Sequence, residues 1–309
     1  MTAQADNGDG AVLVDRSERG KLALSGPAAR EALNALVTNE VETLEPGHGL
    51  YAAVLTPKGK MIGDLRVLAT ETELLLDMER SALQAIFDVL RHGLVGYDAE
   101  LGKRTLECGL LSLIGTGAAR IAGAEALPAE EHAHAEVAIG DLRARAVRTD
   151  GGVDLFCAAD DTAALRDALI DAGARAGTLD DAEIARVESG RPRYGVDLDE
   201  TVIPQEAGLN ERAVSFTKGC YVGQETVARL FYRGKPNRHL RGLRLSAPVA
   251  PGTPLLLAGR ELGRVSSAVS SPRLGPIGLA LVRREAGPGD VLEAGDGGVT
   301  AEVVELPFG

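Results

Sequence analysis

The chain has 309 residues, of which 33 are basic and 45 acidic, so its formal net charge is −12. A hydrophobic content of 45% with only three cysteines is typical of a folded globular chain, while the length predicts two or three domains and the acidity disfavours nucleic acid as a partner. No apolar run approaches the ~18–20 residues of a membrane span, and residues 1–10 lack the order of a secretion signal, so we expect a cytoplasmic protein.

Apolar periodicity predicts a mixed α+β module at the start of the chain. A Thr-Pro-Lys-Gly turn between two apolar runs is typical of a β-hairpin. The predicted elements are, in chain order, a strand at 21–24, a helix over 29–37, the hairpin of 49–55 with 61–68, a strand at 73–77 and a helix beginning near 81.

A second α+β module and a β-rich domain follow. We predict a buried strand at 106–114, a short helix and surface loop within 118–140, a hairpin of 142–148 with 153–158, and helices over 161–172 and 180–189. Beyond 240, short apolar runs separated by Gly and Pro indicate a small antiparallel barrel. The fold class is therefore α+β, with modules over 1–104 and 105–235 and a C-terminal β-barrel over 236–309.

The most unusual stretch is the run Lys-Gly-Cys-Tyr-Val-Gly-Gln-Glu at 218–225. A helix is predicted after Gly223, so Cys220 is expected just before a helix N-terminus. The positive end of the helix dipole and the ammonium of Lys218 would both favour a thiolate there. Cys220 is thus a candidate reactive thiol, with a small buried apolar filler as an equal alternative.

Two carboxylates stand out elsewhere. Glu188 closes a predicted helix, where a negative charge opposes the dipole, and its two oxygens could accept paired N–H donors from a guanidine-like ring. The alternative is a solvated acid beside Arg186 and Arg191. Asp64 interrupts an apolar strand and either has a chemical role or faces solvent by strand alternation.

Together these segments resemble the YgfZ-type folate-binding proteins, relatives of the aminomethyltransferase (T-protein) of the glycine cleavage system. The run at 218–225 with Arg229 after it carries most of the resemblance, and the segments 57–60, 188–190 and 263–267 also match. The resemblance implies a three-domain ring around a central hole that accepts tetrahydrofolate. It also implies that Glu188 takes the N–H edge of the pterin. The remaining residues expected at the folate are Lys218, Tyr221, Gln224 and Arg229.

The resemblance also implies a function. Members of that family support the maturation or repair of iron–sulfur enzymes and, through one of these, the modification of tRNA. Iron–sulfur client or assembly proteins are therefore expected partners, with Cys220 as the functional thiol. T-proteins usually carry two consecutive aspartates where this chain has Gly63-Asp64, so the catalytic role passes to Asp64 alone. The alternatives are a folate-dependent aminomethyl- or methyltransferase, and a module that only binds folate.

Charge and histidine patterns complete the set of expectations. A cluster of cations suits the oligoglutamate tail of cellular folates, or else a solvated joint between domains, and it is too small for stable direct binding of tRNA. The cluster comprises Arg229, Arg233, Lys235, Arg238, Arg241 and Arg244. His132 and His134 lie among acids but are interpreted as a solvated loop, so no metal site is predicted. Cys108 and Cys157 are assigned to the core.

Overall fold

The structure is a computed structural model that describes residues 10–308, so most of the polar segment 1–10 lies outside it. The chain divides into two compact, discontinuous units. The first unit contains the described residues up to Leu33 with 41–51 and 65–182, and the second contains 34–40, 52–64 and the described residues from Glu183 onward. The sequential boundaries after 104 and 235 stay predictions.

The elements before residue 180 are mostly strands with short helices between them. They are β1 Val12–Asp15, β2 Gly20–Ser25, α1 Ala29–Leu36, β3 Gly49–Leu55, β4 Met61–Ala69, β5 Glu73–Met78, α2 Leu83–Gly93, β6 Glu100–Lys103, β7 Cys108–Ile114, α3 Ala118–Ile121, β8 His134–Ile139, β9 Leu142–Thr149, β10 Gly152–Ala158, α4 Thr162–Asp171 and β11 Arg175–Ala176.

The remaining elements are three helices and then six strands. They are α5 Leu179–Glu188, α6 Asn210–Ala213, α7 Gln224–Arg233, β12 Arg238–Leu245, β13 Pro254–Leu257, β14 Arg260–Ser271, β15 Gly275–Arg283, β16 Val291–Ala294 and β17 Val299–Val304. The strands close into a barrel in the order β12-β15-β14-β13-β16-β17, and all of their pairings are antiparallel.

The strands that precede α5 form two sheets. One has the order β11-β1-β7-β10-β9-β8 and the other β3-β4-β5-β2-β6. Within the first unit, a cluster of buried apolar side chains joins residues of both sheets, so these parts pack as a sandwich. The cluster consists of Leu68, Leu75, Leu110, Val147 and Phe156.

A buried ionic network crosses the same sandwich. The Arg66 guanidinium on β4 donates to Asp77 on β5 at 2.7 Å and to Asp154 on β10 at 2.6 Å. Arg19 donates to both oxygens of Asp77, at 2.8 and 2.9 Å. Ser112 on β7 donates to the other oxygen of Asp154 at 2.6 Å. The network therefore satisfies polar groups that burial would otherwise leave without partners.

The α+β class and the C-terminal barrel are confirmed, and several elements differ from the sequence prediction. Strands β1, β6, β8, β11 and β16 were not predicted. The exposed side chain of Leu106 lies outside β7, which begins at Cys108. His132 and His134 are buried rather than solvated, because the supposed loop continues into β8.

No helix within residues 10–308 is both long and apolar enough to cross a membrane.

Candidate functional site

The N-terminus of α7 is packed directly against the turn of the first hairpin. Gly223 caps the helix in the left-handed conformation, with φ of 87°. A Cβ on Gly223 would lie 2.6 Å from the carbonyl oxygen of Thr56, and one on Gly59 would lie 2.8 Å from Cβ of Thr226. Both glycines are therefore required by backbone conformation and close approach. The helix that the sequence predicts after Gly223 is confirmed.

Lys218 ties the same segment to the end of α1. Its buried ammonium donates to the carbonyl oxygens of Asn34, Val37 and Asn39 at 2.6, 2.9 and 2.7 Å. These carbonyls lie where the helix leaves its C-terminal groups without intrahelical partners. The three N–H donors of the ammonium are thus used by the backbone. A contact between Lys218 and folate stays a prediction, and these bonds do not favour it.

The rest of the motif divides into buried and accessible residues. Tyr221 is buried, and burial raises the pKa of its phenol to about 12. Cys220 is exposed, so the interpretation of this thiol as a buried filler is wrong. Gln224 opens α7 with its side chain half-buried, and Arg229 is exposed on the same helix. Of the motif residues predicted to have a functional role, Cys220, Gln224 and Arg229 are therefore accessible to a ligand or partner, and Val222 and Glu225 are exposed as well.

Asp64 is buried within β4, with 5% of its surface exposed. The solvent-facing alternative is therefore wrong. The phenol of Tyr194 has its pKa raised by burial and further by the negative charges of nearby Glu200, Asp199 and Asp64. Asp64 on β4 therefore lies close enough to the loop that follows α5 to act on this phenol, and both belong to the second unit.

Glu188 ends α5 and is held by the barrel. Its carboxylate accepts a hydrogen bond from the Ser271 hydroxyl, and its second oxygen lies 3.5 Å from the Arg273 guanidinium. The Ser271 hydroxyl also accepts from the backbone N–H groups of Arg273 and Leu274. The carboxylate is therefore oriented at the end of β14. The partners of Glu188 are therefore Ser271 and Arg273, and the alternative of a solvated acid beside Arg186 and Arg191 is wrong.

Asp197 organises the segment between Glu188 and Tyr194, and sequence reasoning missed it. Its fully buried carboxylate accepts from Arg186 at 2.7 Å, from the Arg193 backbone at 2.9 Å and from Ser267 at 2.7 Å. Arg186 also pairs with Glu183. The network fixes the segment after α5 to β14. The sequence places Asp197 close to Arg191 and Arg193, but its partner on β14 is too distant in sequence to be recognised.

All of the predicted site residues fall within the second unit. The second unit therefore contains Asp64, Glu188 and the motif at 218–229, which are widely separated along the chain. A common cavity lined by Glu188 and Cys220 stays a prediction. Two members of the cation cluster are already paired, Arg238 with Glu206 at 3.0 Å and Arg241 with Glu305 at 2.7 Å.

The part of the chain that the structure describes contains no preformed set of metal ligands. Among residues 10–308, no group of three or more His, Cys, Asp and Glu side chains is arranged to hold a metal ion. Burial, together with the nearby positive charge of Arg145, lowers the pKa of His134 to about 4, so this imidazole is neutral at physiological pH.

The described residues thus combine a mixed α+β part with a closed six-stranded antiparallel barrel, and Asp64 is buried in a hairpin strand. Residues 8–218 match the GCVT N-terminal domain, and residues 238–308 match the glycine cleavage T-protein C-terminal barrel domain. The chain belongs to the glycine cleavage T-protein family. The stretch between the two matches contains Cys220.

Individual relatives agree with this assignment. The chain is 30% identical to an aminomethyltransferase of Streptomyces coelicolor, covering 96% of this chain and 86% of the relative. It is 31% identical to an aminomethyltransferase of Geobacillus thermodenitrificans, with the same shares covered. The crystal structure of the glycine cleavage system aminomethyltransferase T from Bartonella henselae superposes with a TM-score of 0.85 at 23% identity, covering 97% of this chain and 86% of that one. This likeness concerns the fold.

Proposed function

We propose that the protein binds a reduced folate and acts as a folate-dependent one-carbon transferase of the aminomethyltransferase type. The carrying observation is Asp64, a carboxylate buried in the hairpin strand of a chain that matches aminomethyltransferases over nearly its whole length. A buried carboxylate is suited to general acid–base work, because its environment can tune its proton affinity.

The donor set of the second unit fits a folate. Glu188 is acceptor-rich, partly buried and oriented by Ser271, which suits the paired N–H groups of a pterin edge. When bound, tetrahydrofolate supplies a nitrogen that carries the one-carbon unit. In this proposal Glu188 binds and orients the pterin, and Asp64 holds or moves a proton. The exposed cations Arg229, Arg233 and Lys235 would attract the anionic glutamate tail of a cytoplasmic polyglutamyl folate.

The first test separates binding from turnover. Glu188→Gln removes the charge that favours the pterin donors, so it is expected to weaken tetrahydrofolate binding roughly tenfold or more in a calorimetric titration. Asp64→Asn should retain near-native folate affinity and lower turnover of an aminomethyl donor by at least about a hundredfold. Equal affinity of Glu188→Gln and the native protein would contradict the binding role, and full activity of Asp64→Asn would contradict the transferase.

A second candidate function rests on Cys220. This thiol is exposed immediately before α7, in the stretch that neither family domain covers. An accessible thiol supports a YgfZ-type role in the maturation or repair of iron–sulfur proteins, and through it in tRNA modification. One cysteine cannot hold a cluster alone, so a client or assembly protein would supply the remaining ligands.

The second test compares two thiols. In a strain that lacks the gene, Cys220→Ser is expected to fail to restore iron–sulfur enzyme activities under oxidative growth. Cys108→Ser, which changes a half-buried thiol in the first unit, should restore them. Full complementation by Cys220→Ser would remove the second candidate function and leave the transferase proposal intact.

A further inference from the structure

A cleft of about 440 Å³ opens in the first unit, and none of the residues proposed for folate binding or for the Cys220 function lines it. Its apolar floor includes Leu75 and Phe156, which are 7% and 5% exposed, whereas the other members of their core cluster are fully buried. The cleft therefore exposes the end of the sandwich core to solvent. Its volume lies within the range of small-molecule sites.

One wall of the cleft carries two arginines on a single strand face. In the sheet register, Arg145 on β9 stands directly between Glu136 on β8 and Phe156 on β10. Residues two apart on a strand share a face, so Arg143 lies beside Arg145 on the same side. Arg143 and Arg145, here called the arginine wall, thus stand next to an aromatic ring.

Arg145 is held in place while its charge remains largely uncompensated. The Arg145 guanidinium donates to Nδ1 of His134 at 3.0 Å. The other ring nitrogen of His134, Nε2, donates to the carbonyl oxygen of His48 at 3.1 Å. Because His134 is neutral, this bond orients the guanidinium and cancels none of its charge. The remaining partner is Glu136, which is 64% exposed and 3.4 Å away. Exposed pairs of this kind contribute little.

Arg143 strengthens the positive potential of this wall. It is exposed, and within residues 10–308 it makes no ion pair. Across the cleft, Glu73 and Glu107 both lie 3.4 Å from Arg104 and share its single positive charge, so that side carries a net negative charge and faces the positive arginine wall. Among residues 10–308, the arginine wall therefore has one charge without an ion-pair partner and a second whose one acidic partner is largely solvated.

We propose that this cleft binds a small aromatic carboxylate, with the carboxylate on the arginine wall and the ring on Leu75 and Phe156. A guanidinium fork matches a carboxylate in geometry and charge. The accessible edges of Leu75 and Phe156 favour an apolar aromatic body through burial, while the Arg66 guanidinium already lies over the Phe156 ring, 5.7 Å from its centroid. The site is independent of the folate proposal, since it uses residues of the first unit alone.

The test uses phenylacetate and two probes that each lack one of its features. In amide NMR spectra of the full chain, phenylacetate should produce saturable shifts at 143–145 and 156–158. Neutral phenylacetamide and acetate should bind at least fivefold more weakly. Arg143→Ala should weaken phenylacetate at least fivefold without altering thermal unfolding, because this arginine is exposed and forms no ion pair within residues 10–308. Arg166→Ala, which removes an exposed arginine of α4 outside the cleft, is the matched control.

Three results would overturn the proposal. They are the absence of saturable shifts, equal affinity for phenylacetate and acetate, and unchanged affinity in Arg143→Ala. Folate titration of the same Arg143→Ala variant keeps the two sites distinguishable, since folate affinity should remain native whatever happens at the cleft.

Discussion

Replacement of Asp77 by asparagine is expected to cost about 3–5 kcal/mol of unfolding free energy, the range for breaking a buried ion pair. Asp77 is fully buried between Arg19 and Arg66, and the neutral amide would leave both guanidiniums without that carboxylate. Since small proteins have only about 5–15 kcal/mol to lose, the variant should unfold at a much lower urea concentration. The matched control is Asp88→Asn, an exposed acid of α2, which should change stability by no more than about 0.5 kcal/mol.

The same network predicts that the free energy of unfolding decreases as the pH falls. Burial by itself raises the pKa of Asp77, but the charges of Arg19 and Arg66 outweigh it and hold the pKa well below its ordinary value. The pKa of Asp154 is also lowered, because Arg66 and Arg16 outweigh its burial. A carboxyl with a depressed folded pKa stabilises the fold above its unfolded pKa of about 3.9 and loses that contribution as pH falls.

Urea unfolding between about pH 5 and pH 2 measures this loss. The native midpoint should fall steeply, whereas a folded fraction of Asp77→Asn should show a shallower decline because one of the titrating carboxyls is gone. Parallel curves for the two proteins would show that Asp77 does not carry the acid sensitivity. Near-native stability of Asp77→Asn at neutral pH would refute the role of the network itself.

Lys218→Met is expected to destabilise the second unit by about 3 kcal/mol or more. Methionine retains much of the apolar stem, but the carbonyls of Asn34, Val37 and Asn39 each lose a donor. An unsatisfied buried group costs about 1–3 kcal/mol. Lys235→Met, at an exposed position just beyond α7, is the control and should be nearly neutral. Equal urea midpoints for the two variants would show that the ammonium is dispensable.

This prediction also separates two roles within one motif. Lys218, Tyr221 and Gly223 are buried or sterically constrained, so their presence is explained by the packing of the segment. Cys220 and Arg229 are exposed and have no such explanation. If Lys218→Met also speeds alkylation of Cys220, the ammonium positions the thiol by holding its backbone. An unchanged alkylation rate would confine Lys218 to stability.

The sequence by itself determined the elements whose signals are local. Turn residues and alternating apolar residues predicted the hairpin of β3 and β4, and helical periodicity with a preceding glycine predicted α7. The repeated short apolar runs after 240 predicted the antiparallel barrel, because strand alternation and Gly turns are written within a few residues. The segment at 218–225 marked the candidate thiol for the same reason.

Only the tertiary structure decided which polar side chains are buried and what they contact. Strand β8 escaped prediction because its alternation is weak, and its burial of His134 depends on pairing with β9. The partners of Glu188 and Lys218 lie far along the chain, on β14 and at the C-terminal end of α1. Short-range propensity cannot encode such pairs, since the free energy of a buried charge depends on the groups that the fold places around it.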